Sequence, residues 1–233
     1  MKLMTHIVVG YPTLEESRKL IEAMDEVGVS YIELQIPFSD PLGDEPTIME
    51  ANRIAPENGT RVEDAFKLMK EMSSKVKAKL IFMTYFNILN AYSLEKFIKD
   101  SSEAGAYGLI IPDISIEMED KEHFIELRQK YNINPIRLLA PTSTDERIKK
   151  NAKYAKDLIY LSSRKGTTGE KSELDPELSS HINRVKKYIK TEIAVGYGIS
   201  KSEHIKALSQ HADIAVVGSA VVNTYNSKKR EFI

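Results

Sequence analysis

The chain has 233 residues, with 33 Lys and Arg against 34 Asp and Glu, a formal net charge of -1, and no cysteine. Balanced charge supplies no global field to hold a nucleic acid or an anionic membrane, so any phosphate must be gripped locally, and the missing thiols exclude disulfides, thiolate catalysis and cysteine-ligated zinc. Hydrophobic residues at 42% and charged residues at 29% suffice for a substantial core, no run approaches the roughly 18 apolar residues of a membrane span, and a reducing, cytoplasmic setting is expected.

Residues 4–9 form the first short apolar run, and Thr13 with Glu16 three positions on marks a capping box opening an amphipathic stretch. The same alternation recurs with strand candidates at 31–36, 80–83, 108–111, 136–140, 158–161, 193–195 and 214–217. Ser143 with Glu146 and Ser200 with Glu203 give two more capping-box starts. Eight strand-then-helix units at about 29 residues each suit a (β/α)8 barrel. No linker or change of composition divides the chain, so residues 1–233 are expected to form one domain. An open doubly wound sheet is the rival on alternation alone. Two connections are long for such a fold, 37–60 after the second strand and 162–176 after the sixth. Both follow strand C-termini, the end at which barrels keep their sites.

In Tyr31-Ile32-Glu33-Leu34-Gln35-Ile36 the period of two puts Tyr31, Glu33 and Gln35 on one face. A barrel strand is covered on both faces, so Glu33 must be partnered or have its pKa raised by desolvation, and a raised carboxyl suits proton transfer near neutrality. The proline-rich stretch that follows carries Asp40, Asp44 and Glu45 and is expected to be an ordered loop bringing Asp44 toward Glu33, although Asx-turns would equally explain Asp40 and Asp44. Gly166 and Gly169, Gly196 and Gly198, and Gly218 with Ser219 follow the sixth, seventh and eighth strands, where glycine backbones and helix N-termini build barrel phosphate sites. Gly169-Glu170-Lys171-Ser172 is not a P-loop, since glycine must directly precede the lysine. The five histidines show no metal-ligand spacing, and no metal is expected. Tyr85, Asn87 and Tyr92 cluster after the third strand and are candidates to wall an aromatic ligand.

Ile32-Glu33-Leu34, then Pro37-Phe38-Ser39-Asp40-Pro41 and Asp44, resembles the signature of the tryptophan synthase α-subunit family. The resemblance continues through Gly10-Tyr11-Pro12, Ile111-Pro112-Asp113, Ala140-Pro141-Thr142 and Val217-Gly218-Ser219, over nearly the whole chain. It implies a TIM barrel that cleaves indole-3-glycerol phosphate to indole and glyceraldehyde 3-phosphate without a cofactor of its own. The implied partner is a pyridoxal-phosphate β subunit, in an α2β2 complex. By resemblance Glu33 is the acid/base group, Asp44 binds the indole nitrogen, Tyr85 and Tyr160 line the pocket, and Thr168 orients Asp44. Gly169, Gly198, Gly218 and Ser219 correspond to phosphate-binding positions, while Pro37, Phe38 and Asp40 are candidate partner contacts.

Four positions depart from the family pattern: Gln35 and Glu45 where it has glycine, Tyr197 where it has phenylalanine, and His6 where a phenylalanine often lines the pocket. The barrel is also expected to be shortened at its N-terminus, with no leading helix, and at its C-terminal helix. Gln35 and Glu45 leave open a weakly active or inactive barrel that binds and activates a β subunit, and the pocket polarity of His6 and Gln35 leaves open a phosphate-binding barrel for another substrate.

Overall fold

The computed structural model describes residues 1–162, 176–196 and 198–230. In chain order the elements are β1 (Lys2–Val8), α1 (Leu14–Glu26), β2 (Tyr31–Gln35), α2 (Pro46–Glu57), α3 (Val62–Ser73), β3 (Lys79–Met83), α4 (Phe86–Tyr92), α5 (Leu94–Glu103), β4 (Gly108–Ile110) and α6 (Ile116–Lys121). There follow α7 (Phe124–Lys130), β5 (Asn134–Pro135), β6 (Arg137–Leu139), α8 (Asp145–Ala152), β7 (Leu158–Ser162), α9 (Pro176–Lys186), β8 (Glu192–Gly196), α10 (Ser202–Leu208), β9 (Ile214–Val217) and α11 (Ser219–Arg230).

Every strand pairing is parallel. The strand order is β5-β4-β3-β2-β1-β9-β8-β7-β6. Only Ile136 separates β5 from β6, so the two ends of that order belong to one stretch of chain and the sheet closes on itself as an eight-fold barrel. The open-sheet alternative is thereby excluded. All eight predicted runs fall on observed strands. The fifth starts earlier than its composition suggests, because Asn134-Pro135 reads as a turn, yet Asn134 and Pro135 lie in register with Gly108 and Leu109.

The period of two separates the barrel's interior from its outer shell. Ile32, Leu34 and Ile36 point outward into a cluster with Ile21, Met24, Leu68, Met69 and Met72 of α1 and α3. Tyr31 points inward with Met4, Ile81, Ile110, Ile136, Leu158, Ala194 and Ile214. At the N-terminal ends of the strands the interior is closed. Tyr31 and Tyr107 meet at 5.9 Å, Lys79 lies 4.2 Å from the Tyr107 ring centre, Lys2 pairs with Glu192 at 2.6 Å, and the Tyr31 hydroxyl donates to Glu192 at 3.3 Å. Tyr107 also bonds Asp157.

The connection 37–60 is not a long loop, because α2 occupies half of it. Pro46 stands at the first turn, where its missing N–H costs nothing. Ile48, Ala51, Asn52 and Ala55 form the buried stripe, three of them packing on Val8 and Val222. Among the predicted helix starts, Thr13 accepts from the Glu16 N–H at 3.2 Å as expected. The cap of α8 is Thr144 rather than Ser143, whose hydroxyl instead takes the Ala140 N–H. The residue before α10 is Lys201, one beyond Ser200, and it makes no side-chain cap.

Candidate active site

Strands β1 and β2 lie in register, with His6 opposite Glu33 and Val8 opposite Gln35, so His6, Glu33 and Gln35 meet inside the barrel mouth. His6 Nδ1 is 2.9 Å from Glu33 Oε2 and His6 Nε2 is 2.8 Å from Gln35 Oε1. The Gln35 amide donates in turn to Asp44 Oδ2 at 2.7 Å. The expected carboxylate pair is thus present, joined through His6 and Gln35. Glu33 takes the partnered option, at 3% exposure. Gln35 does not bond Glu33 itself but bridges His6 and Asp44.

The bonding fixes the protons. Because Gln35 turns its NH2 to Asp44, its carbonyl oxygen faces His6 Nε2, which must donate, and His6 Nδ1 shares the remaining proton with Glu33. Burial works against charge on His6, but the Glu33 hydrogen bond and charge, with Asp44 and Gln35 adding to them, raise its pKa overall. Burial likewise pushes the Asp44 pKa up, against the Gln35 hydrogen bond, the His6 charge and Tyr85, while Glu45 adds a small further rise. Glu33 Oε1 is buried and has no hydrogen-bond partner among the described residues. A buried carboxylate oxygen left free in this way is an acceptor, or a proton carrier, waiting for a ligand.

Two phenols complete the wall. The pKa of Tyr85 is raised by burial and by the neighbouring Asp44 charge, and its ring stacks on Phe38 at 4.8 Å. Tyr160 is raised well above its ordinary value by burial and then by Glu33, Asp44 and Glu45. Both therefore stay protonated. A Cβ on Gly196 would come within 2.2 Å of the Tyr160 hydroxyl, so only glycine lets the ring occupy this place.

Gly198 has a φ of +59°, a conformation that favours glycine. Gly218 directly precedes α11, which Ser219 opens, and a Cβ on Gly218 would lie 3.8 Å from His6 Cβ. The glycine side of the mouth therefore adjoins the acid side. Thr168, Gly169 and Tyr197 lie outside the described residues. Asn87 is exposed, and Tyr92 packs between Phe66 and Phe97 in the outer shell, so Tyr85 alone of that trio faces the site. Asp40 and Glu45 are exposed, whereas Phe38 is half-buried against the barrel interior.

Two positioning residues escaped the sequence reading. Fully buried Asn52 accepts the Phe38 N–H at 3.0 Å and donates to the Ile48 carbonyl at 2.9 Å, tying the 37–45 segment to α2. Its place among the small and aliphatic residues of the α2 stripe was the available signal. Asp113, from the Ile-Pro-Asp stretch, accepts the Phe86 N–H at 2.9 and 3.1 Å and so caps α4 beside Tyr85. Among the described residues no group of three His, Asp or Glu side chains is arranged to hold a metal.

The sequence model of the tryptophan synthase alpha chain family matches residues 1–232. A tryptophan synthase alpha chain from Desulfotalea psychrophila is 42% identical over 220 residues, covering 94% of this chain and 86% of its own. The tryptophan synthase α subunit of Pyrococcus furiosus superposes with a TM-score of 0.90 at 32% identity, over 99% of this chain and 92% of that one. Mycobacterium tuberculosis tryptophan synthase gives 0.87 at 30% identity, over 95% and 84%. Together with the buried acid of β2 facing the barrel mouth, these likenesses settle the descent: the chain belongs to the tryptophan synthase alpha chain family.

Proposed function

We infer that this barrel cleaves indole-3-glycerol phosphate into indole and glyceraldehyde 3-phosphate, with Glu33 and Asp44 as its catalytic pair. The observation that carries the assignment is the Glu33 carboxyl, buried, bound by His6 through Oε2 and without a partner at Oε1 among the described residues. In a retro-aldol cleavage a proton must be added at indole C3, and the proton of the glycerol hydroxyl next to the breaking bond must be removed. The electrons of the broken carbon–carbon bond then return to the indole ring as the hydroxyl carbon becomes the aldehyde. Glu33 serves both proton transfers, and His6 and Gln35 keep its free oxygen turned toward the substrate. Asp44 takes the indole N–H and so stabilises the positive charge that develops on nitrogen when C3 is protonated. Tyr85 and Tyr160 flank the ring, Thr168 orients Asp44, and the backbone around Gly169, Gly198, Gly218 and Ser219 receives the phosphate.

Residues 1–233 act as one cytoplasmic domain in this reading, and no described helix is long and apolar enough to cross a membrane. The chemistry assigned here needs only acids, amides and phenols, and pyridoxal phosphate is assigned to a β subunit that consumes the indole in an α2β2 assembly. Pro37, Phe38 and Asp40 are the proposed contacts. Asp40 is exposed, as is Leu42 at 86% in the same segment, an apolar tip suited to a partner surface. Indole release measured with and without a β subunit tests the proposal. Turnover that rises on adding partner is expected, and partner activation with no indole at any ratio would mean a regulatory barrel. An Asp40→Lys variant should bind the β subunit more weakly.

A further inference from the structure

On the outer side of the barrel wall, away from the Glu33 site, α6, α7 and the β6 strand bury two arginines around a single acid. Arg128 is 2% exposed, Arg137 3% and Glu119 3%. Glu119 bonds Arg137 Nη1 and lies 3.9 Å from Arg128 Nη2, so among the described residues the cluster holds two positive charges against one negative. Arg128 Nε and Nη1 and Arg137 Nε and Nη2 are buried with no acceptor among the described residues. The guanidinium faces are already engaged, Arg128 at 4.2 Å from the Phe124 ring centre and Arg137 at 5.5 Å from that of Tyr154. What remains without an acceptor among the described residues is the Nε–Nη2 edge of Arg137 and the separate Nε and Nη1 donors of Arg128. Both arginines line a cavity of about 100 Å³, walled by Ile133 and Tyr154 and rimmed by Lys153 and Lys156.

We propose that this cavity is a second anion site, which takes a small oxyanion of the phosphate class between Arg128 and Arg137. Arg137 offers the paired Nε–H and Nη2–H edge that matches the forked acceptors of an oxyanion, and Arg128 adds single donors from Nε and Nη1. Water could meet the hydrogen bonds but not the charge, and an unpaired buried charge is strongly unfavourable. Burial, with the neighbouring Arg137 charge, outweighs Glu119 and pulls the Arg128 pKa down to about 9. At about 100 Å³ the cavity falls well below the roughly 300 Å³ at which pockets for larger organic ligands begin, so it fits the anionic group alone. A groove of about 460 Å³ lined by Glu117, Lys121 and Lys150 shares Lys153 and Tyr154 with it, which gives a phosphate monoester room for its tail.

The test has two independent parts. Wild-type crystals soaked in sodium tungstate should show an anomalous peak bridging Arg128 and Arg137, and a featureless cavity would overturn the proposal. In solution, the rise in Tm on adding millimolar inorganic phosphate is compared, against chloride at constant ionic strength, for wild type, Arg128→Met and Arg128→Lys. Subtracting variant from wild type removes the contribution of phosphate at the Glu33 site. Affinity at the outer site should fall by about tenfold or more in Arg128→Met, with KM for indole-3-glycerol phosphate unchanged, and equal rises in all three proteins would refute the site. Repeating the subtraction with glycerol 3-phosphate separates the sources: an undiminished difference assigns a phosphate ester, and a difference seen with inorganic phosphate alone assigns the free anion.

Discussion

Replacing Glu33 with Gln keeps the side-chain volume while removing the charge that faces His6, so it isolates the electrostatic part of the buried link. In the native site the two groups are 2.9 Å apart and both buried. A hydrogen bond to a charged group contributes about 1.5–3 kcal/mol and a neutral one about 0.5–1.5 kcal/mol, so the variant should lose about 1–2 kcal/mol where His6 is protonated. The sign with pH follows from the direction of the His6 shift. Its folded pKa stands above the ordinary 6.5, so the stabilisation is fully present below the unfolded value and is lost as pH rises through the folded one. In Glu33→Gln the largest contributions that raise the His6 pKa are gone, leaving burial opposed only by Asp44 and Gln35. The stability gap between wild type and variant, read by urea denaturation, should therefore be widest near pH 6 and narrow at alkaline pH. Indole release should fall by about 100- to 10,000-fold, the usual contribution of a positioned acid/base group. A folded variant with wild-type turnover, or a stability gap that ignores pH, would refute the reasoning.

Gln35→Leu cuts the link between His6 and Asp44 and leaves His6 Nε2 without its acceptor, at a cost of about 1–3 kcal/mol in denaturant unfolding. It also removes the hydrogen bond that holds the Asp44 pKa down, so the acidic limb of the turnover–pH profile should move to higher pH. Asn52→Ala orphans the Phe38 N–H and should destabilise by about 1–3 kcal/mol, with weaker calorimetric affinity for a β subunit because the 37–45 segment loses its tie. Gly196→Ala drives a methyl group to 2.2 Å from the Tyr160 hydroxyl, and a KM rise with a Tm loss equivalent to about 1–3 kcal/mol is expected. Adding Tyr160→Phe should restore part of the loss but not all, since ring atoms remain 2.9 and 3.0 Å from the new methyl.

The strands were legible because a parallel barrel buries both faces of each, leaving short β-rich runs between amphipathic stretches. Helix α2 was hidden by Pro46 and Pro56, which read as loop punctuation although both lie within the helix. The caps at Thr144 and Lys201 fell one residue beyond the predicted ones because a capping pattern constrains spacing and not the path of the chain before it. Glu33 was legible as an acid inside a buried strand, a place acids rarely occupy, whereas Asp44 stood in a turn-rich segment where an Asx-turn explained it equally well. Their connection was not legible, because His6 is 27 residues from Glu33 and only the pairing of β1 with β2 brings the ring between Glu33 and Gln35. Asn52 and Asp113 act on backbone N–H groups 14 and 27 residues away, contacts that no local spacing announces.

Among the described residues, the contacts at the lower end of the barrel leave the C-terminal rim as the approach to the acids. Tyr31, Tyr107, Lys79, Lys2 and Glu192 stop up the interior beneath the acids, so whatever reaches Glu33 arrives over the C-terminal rim, and both products must leave past the same rim. A neutral aromatic fragment released there meets no second exit among the described residues. Whatever covers the rim during turnover therefore decides whether that fragment is lost to water or handed on.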